Sequence, residues 1–327
     1  MKRVVFTVSL LLIGLTLVAQ TPTALRVDVR LISVVATVTD NVGRHVSNLI
    51  ADDFTILEDG VPQKITHFTQ DYDVPVSVGI LLDTSGSMQG KMSAATAAVE
   101  RFLKNVHQDD DIFLMTFARD VNLEQDFTSD RRKLSRALNN ITISGGTVLY
   151  DALQEGIDKV SRGRHDKRAI LVISDGFDAG SKKTKLDQLL GSIRGAEVLV
   201  YGLGTAPTVY ADPTEHVPFT LPTPRSTTRG AVRRGTPAPA SVTAVNMNVM
   251  KQFAENSGGQ AYLLTDTFID SDGPEIDRVL NSIAAELRAQ YTLGYYPSAP
   301  DNGKFHAIKV TTRGGQSVRT RTGYLGR

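Results

Sequence analysis

Between residues 26 and 68 apolar side chains fall at alternate positions, as in Val27, Val29 and Leu31, then Ala36 and Val38, then Phe54 and Ile56. A period of two predicts strands with one buried face. Asp40, Asn41 and Gly43 mark one reversal, and Asp59 with Gly60 another, the latter pair being favoured in tight hairpins. After Pro75 the pattern changes to unbroken apolar runs alternating with helical spacing. Residues 76–82 read as a central strand, and Met92, Ala95, Val99, Phe102, Leu103 and Val106 lie along one face of a helix. Residues 112–117, 169–173 and 198–201 predict further strands. Helices are predicted around 134–138, through Leu149, Leu153, Ile157 and Val160, and through Leu186, Leu189, Leu190 and Ile193. Strands alternating with helices argue for a mostly parallel sheet covered on both faces.

From 206 to 242 the periodicity stops: the stretch holds seven of the thirteen prolines and reads as a flexible insertion. Residues 249–254 then predict a helix, and 261–264 a strand. Pro274 opens a helix with Ile276, Val279, Leu280, Ile283 and Leu287 on one face. From Tyr291 the alternation returns, through Leu293, Tyr295, Ile308 and Val310, with turns at Asn302–Gly303 and Gly314–Gly315. Neither flanking β segment has enough strands to bury both faces alone. The economical arrangement packs residues 24–72 and 291–327 together as one small β domain, with the α/β domain of residues 74–290 inserted between them.

Composition narrows the function. An apolar fraction of 41% in 327 residues supports a full-sized core, and 36 basic against 35 acidic side chains supply no net field toward nucleic acid. Arg225, Arg229, Arg233 and Arg234 fall in the insertion and read as solvated loop positions. The chain has no cysteine, which removes thiolate metal sites, disulfides and a cysteine nucleophile. Lys2 and Arg3 precede an apolar run from Val4 to Val18, with Ala19 next and a polar stretch from Gln20, the order of a secretory signal over residues 1–20. The expected location is therefore secreted or periplasmic, with no membrane-integral domain after cleavage. An uncleaved inner-membrane anchor is the alternative.

One constellation carries chemistry. Asp83, Ser85 and Ser87 follow the strand of 76–82 just ahead of a helix, where open parallel sheets hold ligands. They offer a carboxylate and two hydroxyls, and Gly86 is expected to let the turn tighten around them. Thr147 follows Gly145 and Gly146 before another helix, and Asp175 stands at the end of the run 169–173, on the same rim. All are hard oxygen donors suited to Mg²⁺, Mn²⁺ or Ca²⁺.

In these residues the chain resembles the von Willebrand factor type A (vWA) family with an intact metal-ion-dependent adhesion site. Its Asp-x-Ser-x-Ser, Thr, Asp pattern is met by Asp83, Ser85, Ser87, Thr147 and Asp175. The resemblance implies a doubly wound, mostly parallel six-stranded α/β sheet over about residues 74–290, and one divalent cation, Mg²⁺ foremost. It also implies a protein partner whose exposed Asp or Glu completes the coordination. In the family Ser85 and Ser87 usually touch the metal, Asp83 and Asp175 act directly or through water, and Thr147 changes role with the ligand. The Glu58-Asp59-Gly60 turn and the Leu293-Gly294-Tyr295-Tyr296-Pro297 stretch resemble secreted bacterial VWFA-related proteins.

The function expected is a metal-dependent binding module without catalysis. A metal-dependent hydrolase of the cell envelope and a structural domain that binds no metal are the alternatives. Against a phosphatase, the second acidic position is Ser85; against a serine hydrolase, no Gly-x-Ser-x-Gly is present with a positioned histidine. His107 and His165 read as solvated loop positions, and Asp109 to Asp111 as a helix-to-strand connection.

Overall fold

The computed structural model describes residues 31–71, 74–206, 245–265, 274–298 and 303–326. The expected signal of residues 1–20 and nearly all of the insertion of 206–242 lie outside them, as do Val27, Val29, Asn302 and the four arginines of that insertion.

The first segment contributes β1 (Ile32–Thr39), β2 (Phe54–Glu58), β3 (Val61–Gln63) and β4 (Ile65–Asp71). The α/β unit runs through β5 (Val76–Asp83), α1 (Met92–Asn105), β6 (Asp111–Phe117), β7 (Val121–Thr128), α2 (Arg131–Asn139) and α3 (Leu149–Val160). It continues with β8 (Lys167–Ser174), α4 (Leu186–Gly195), β9 (Leu199–Ala206), α5 (Met247–Ser257), β10 (Ala261–Thr265) and α6 (Pro274–Arg288). The last segment supplies β11 (Gln290–Tyr295), β12 (Phe305–Thr312), β13 (Ser317–Arg319) and β14 (Gly323–Leu325). Among the described residues no helix is long and apolar enough to cross a membrane.

The α/β unit is built on a six-stranded sheet in the order β10-β9-β8-β5-β6-β7, parallel throughout except for the antiparallel β6–β7 pair. All of β5 is buried, as an unbroken apolar strand between two helical layers requires. Its residues alternate between the two cores. Ile80 and Leu82 pack with Phe102 of α1 and Ile283 of α6, whereas Leu81 packs with Leu153 of α3 and Phe253 of α5. The expected fold class is thus observed, including the flanking β structure.

Strand β7 was not foreseen from the sequence. None of its residues is fully buried: Val121 and Phe127 are half-buried against the core, Leu123 is exposed and Gln125 breaks their alternation, so the apolar signal of this edge strand is weak. Helix α1 stops at Asn105, so Val106 is its C-cap rather than part of its apolar face.

The flanking β structure interleaves both ends of the chain in two four-stranded sheets, β13-β1-β11-β4 and β14-β12-β2-β3. Strand β1 pairs antiparallel with β11, and β2 with β12. Val34, Ala36, Ile56, Leu293, Tyr295 and Val310 fill the space between the sheets. In β1 the even positions 32, 34, 36 and 38 are buried, while Leu31 precedes the strand in a half-buried place. The alternation of Ala36 and Val38 thus marks the inner face of β1, and Leu31 lies outside it. The β2–β3 hairpin turns on Asp59 and Gly60 with φ of 49° and 84°, both positive as a type I′ turn needs.

A buried carboxylate fastens the two units together. Glu286 of α6 is 1% exposed, accepts from Thr37 Oγ1 of β1 at 3.2 Å and from the Tyr201 hydroxyl of β9 at 2.8 Å, and forms an ion pair with the guanidinium of Arg319 of β13. Burial, and then the Glu286 charge, holds the Tyr201 hydroxyl well above its usual pKa, so it remains a donor. Glu286→Met should lower unfolding free energy by about 3 kcal/mol in urea denaturation, because two buried hydroxyls lose their acceptor and Arg319 its counter-charge at once. Glu286→Gln, which keeps an acceptor oxygen, should cost less. Equal losses from both would show that packing volume, not the carboxylate, is what matters there.

Candidate metal centre

The carboxyl ends of β5 and β8 lie side by side in the sheet, with Leu82 paired to Ile173. Asp83 is the last residue of β5, and Asp175 follows Ser174, the last of β8. Both are buried, at 0% and 1% exposure. Parallel pairing delivers these two carboxylates to one rim without any contribution from the loops.

The turn after Asp83 draws the hydroxyls in. Ser85 N–H donates to Asp83 Oδ1 at 2.9 Å, and Ser85 Oγ and Ser87 Oγ are 3.0 Å apart. Ser85 is buried and Ser87 half-buried, so the pair opens outward at Ser87. Gly86 has room for a Cβ, its nearest outside atom being Ser144 O at 4.0 Å, and it does not adopt a positive φ. The turn therefore owes its tightness to the Asp83 carboxylate capturing the Ser85 amide, not to glycine freedom, which corrects the expectation for this position. Glycine is required instead at Gly176, where φ is +78° and a Cβ would lie 2.5 Å from Asn246 O.

Backbone bonds bring in the loop of Thr147. Ser144 N–H donates to Thr84 O at 2.8 Å, Val148 N–H to Ala118 O at 2.9 Å, and Ala179 N–H to Thr147 O at 3.0 Å. Thr147 itself is 7% exposed. The loops after β5, β6 and β8 are thus stitched into one surface.

Two residues that motif reasoning passed over complete the electrostatics. Ser174 Oγ donates to Asp83 Oδ2 at 2.6 Å while accepting from Gly176 N–H at 3.0 Å. Lys91, 1% exposed, places its ammonium 3.2 Å from Asp175 Oδ2. A polar residue closing an apolar strand was the available signal for Ser174. Lys91 gave none, since a lysine after Gly90 at a helix start reads as a surface position.

The histidines differ from their reading as solvated positions. His165 is half-buried, with Nε2 at 3.6 Å from Asp111 Oδ1, and His107 Nδ1 accepts from Asp109 N–H at 3.1 Å. Asp110 does connect α1 to β6, its carboxylate accepting from Val76 N–H and His107 N–H. Elsewhere, among the described residues, Glu58, Asp59 and His306 gather their ligating atoms within 4.8 Å. There His306 Nδ1 is 2.8 Å from Asp59 Oδ2, and Glu58 Oε2 accepts from the Tyr295 hydroxyl at 2.5 Å and from that of Tyr324 at 3.1 Å. These bonds join the Asp59–Gly60 turn to β11, β12 and β14.

Asp83 is held at a pKa of about 6, above the ordinary 3.8, because burial penalises its charge more than the Ser174 and Ser85 donors favour it; Asp175 adds repulsion. The folded chain thus keeps a proton that the unfolded chain releases between a pH of about 4 and 6, so stability from this group falls as pH rises through that window. Asp83→Asn preserves an acceptor for Ser85 N–H and a donor for Ser174. In EDTA it should stabilise the protein near neutral pH, by on the order of 2 kcal/mol, and the gain should shrink towards a pH of about 4. A pH-independent gain in thermal denaturation would rule out a carboxylate strained by burial.

Residues 78–177 match the family model of the von Willebrand factor type A domain. Inter-alpha-trypsin inhibitor heavy chain H3 of Bos taurus is 29% identical over 147 residues, 40% of this chain and 16% of that protein. An uncharacterized protein of Borreliella burgdorferi is 24% identical over 152 residues, 43% of each chain. The matched region thus spans less than half the length of either curated relative. Among solved structures, a von Willebrand factor type A protein from Catenulispora acidiphila has a TM-score of 0.48 at 10% identity, covering 84% of this chain and 73% of that one. The conserved hypothetical protein BatB from Bacteroides thetaiotaomicron has a TM-score of 0.47 at 20% identity, covering 65% and 100%. On the family match, residues 78–177, which hold Asp83, Ser85, Ser87, Thr147 and Asp175, carry a von Willebrand factor type A domain.

Proposed function

We propose that this chain is a secreted or periplasmic protein-binding module whose α/β rim holds one divalent cation, completed by an Asp or Glu of a partner. The observation that carries this reading is the Ser85–Ser87 hydroxyl pair, 3.0 Å apart beside the Asp83 carboxylate. Neighbouring ligands on an octahedral Mg²⁺, each at about 2.1 Å, stand about 3 Å apart. Asp83, Ser85, Ser87, Thr147 and Asp175 would hold the ion, and the oxygen-only donor set favours Mg²⁺, with Mn²⁺ or Ca²⁺ also compatible. Bound, the cation would supply positive charge at an otherwise acidic rim.

Charge explains why such a site would take up a partner's carboxylate. The ammonium of Lys91 already compensates Asp175, so Asp83 alone brings a carboxylate with no cation against it. A divalent cation there would stay under-neutralised by roughly one charge, and an incoming carboxylate would make a charge-assisted contact at the half-buried Ser87 side. Both carboxylates being committed to neighbours, neither is placed to act as a general base, which favours binding over hydrolysis.

Calorimetric titration of Mg²⁺ should show one site, absent in the Asp83→Ala, Asp175→Ala double variant. Ser85→Ala with Ser87→Ala should abolish metal-dependent capture of a partner from a solubilised envelope extract while leaving the melting temperature unchanged, and EDTA should have the same effect. Capture that persists in EDTA, or metal-dependent turnover of phosphate or peptide substrates lost with these substitutions, would count against the proposal.

Lys91→Met separates the two halves of the argument. Removing the ammonium leaves Asp175 free to compensate the ion, so Mg²⁺ should bind about tenfold more tightly or better while partner capture weakens. The metal-free variant should also melt lower than the parent chain, because a buried carboxylate has lost its counter-ion, and Mg²⁺ should recover the difference. Weaker Mg²⁺ binding in Lys91→Met would show that the lysine supports the ion instead of competing with it.

A further inference from the structure

At the opposite end of the sheet from Asp83, where β8 and β9 begin, a cavity of about 360 Å³ lies between the α/β unit and the flanking β structure. Its walls come from both: Arg168 is the second residue of β8, Gln290 opens β11, and Arg321 follows β13. Gln290 is 2% exposed, yet its side-chain amide nitrogen has no hydrogen-bond acceptor within the protein. Arg168, half-buried on the same cavity, leaves its Nε without an acceptor as well. Buried donors nearly always find partners, and two without any on one cavity are the signature of a missing acceptor.

The distribution of charge says what kind of acceptor. The acidic residues of the lining, Asp166 and Glu197, are exposed and stand at the rim, whereas the less exposed polar walls include the cationic Arg168 and Arg321. The enclosed part therefore presents donors and positive charge, and its volume suits a small organic molecule. We propose that this inter-unit cavity binds a small oxyanion-bearing ligand, with Arg168 Nε and Gln290 Nε2 donating to its carboxylate or phosphate oxygens. Guanidinium and amide donors lining one cavity match that chemistry, which an ordinary water could satisfy only in part. The ligand would bridge the two units, so its binding would stiffen their junction.

The test uses the full chain, titrated separately with succinate and with inorganic phosphate at ionic strength held constant with chloride, by calorimetry and thermal denaturation. One of the two should bind saturably at a single site with a Kd below about 1 mM and raise the melting temperature. Which of the two does so identifies the oxyanion as carboxylate or phosphate. Arg168→Met and Gln290→Leu should each weaken binding about tenfold or more, and Asp83→Ala should leave it unchanged. Without either anion Gln290→Leu should melt no lower than the parent chain, since the lost amide nitrogen had no partner. Absence of saturation by both anions up to about 10 mM, equal affinity in the variants, or a marked loss of stability in anion-free Gln290→Leu would each overturn the proposal.

Discussion

A carboxylate buried as deeply as that of Glu286 cannot stand alone, and the way it is satisfied fixes how the two halves of this chain sit together. Its partners come from β1, β9 and β13, that is from the first segment, the α/β sheet and the last segment. Apolar contact would allow the β sheets to slide over the helices at little cost, because it is not directional. Three partners converging on one carboxylate allow a single arrangement. Once that arrangement is set, β11 leaves the end of α6 in position to pair with β1 and β4, and the segments separated by the whole α/β unit become neighbours.

The rim of the α/β sheet obeys the same rule with a different outcome. Two carboxylates brought together by parallel pairing repel each other, and the chain offsets this unevenly: Asp175 receives a full counter-charge from Lys91, while Asp83 receives only neutral donors. Burial with no counter-charge, and to a lesser degree the Asp175 charge, is why the Asp83 proton is held up to a pKa of about 6. The site is thus built with one carboxylate in balance and one in deficit, and a cation is the species that would relieve the deficit.

Much of this was legible in the sequence where burial was one-sided or complete. The unbroken apolar run of β5, the helical spacing of α1 and α3, and the Asp59–Gly60 hairpin each carry a periodicity or a φ requirement that few other residues satisfy. Strand β7 was hard to read because Gln125 interrupts its apolar alternation and none of its residues is fully buried. In β1 the apolar residues occupy both parities, Val34 and Val35 alike, so only Ala36 and Val38 of its inner face stood out. At the rim, spacing pointed to oxygen donors but not to their counter-charges. Lys91 and Asp175 are far apart in sequence and meet only because Gly90 and the start of α1 bring that lysine beneath the end of β8.

The two ends of the sheet differ in sign, and the sheet's length keeps them independent. Strand β5 is eight residues long, so its ends are about 25 Å apart, about three Debye lengths at physiological salt. Carboxylates cluster at one end, while buried guanidinium and amide donors line the cavity at the other. A cation at the rim and an oxyanion in the cavity would therefore neither attract nor repel each other measurably through solvent. Any coupling between them would have to run through β8, whose first turn of chain carries Arg168 and whose far end leads into Asp175. Because that strand is flanked by β5 and β9 and buried along its last six residues, it has little freedom to shift, and the two sites should behave as separate devices on one rigid frame.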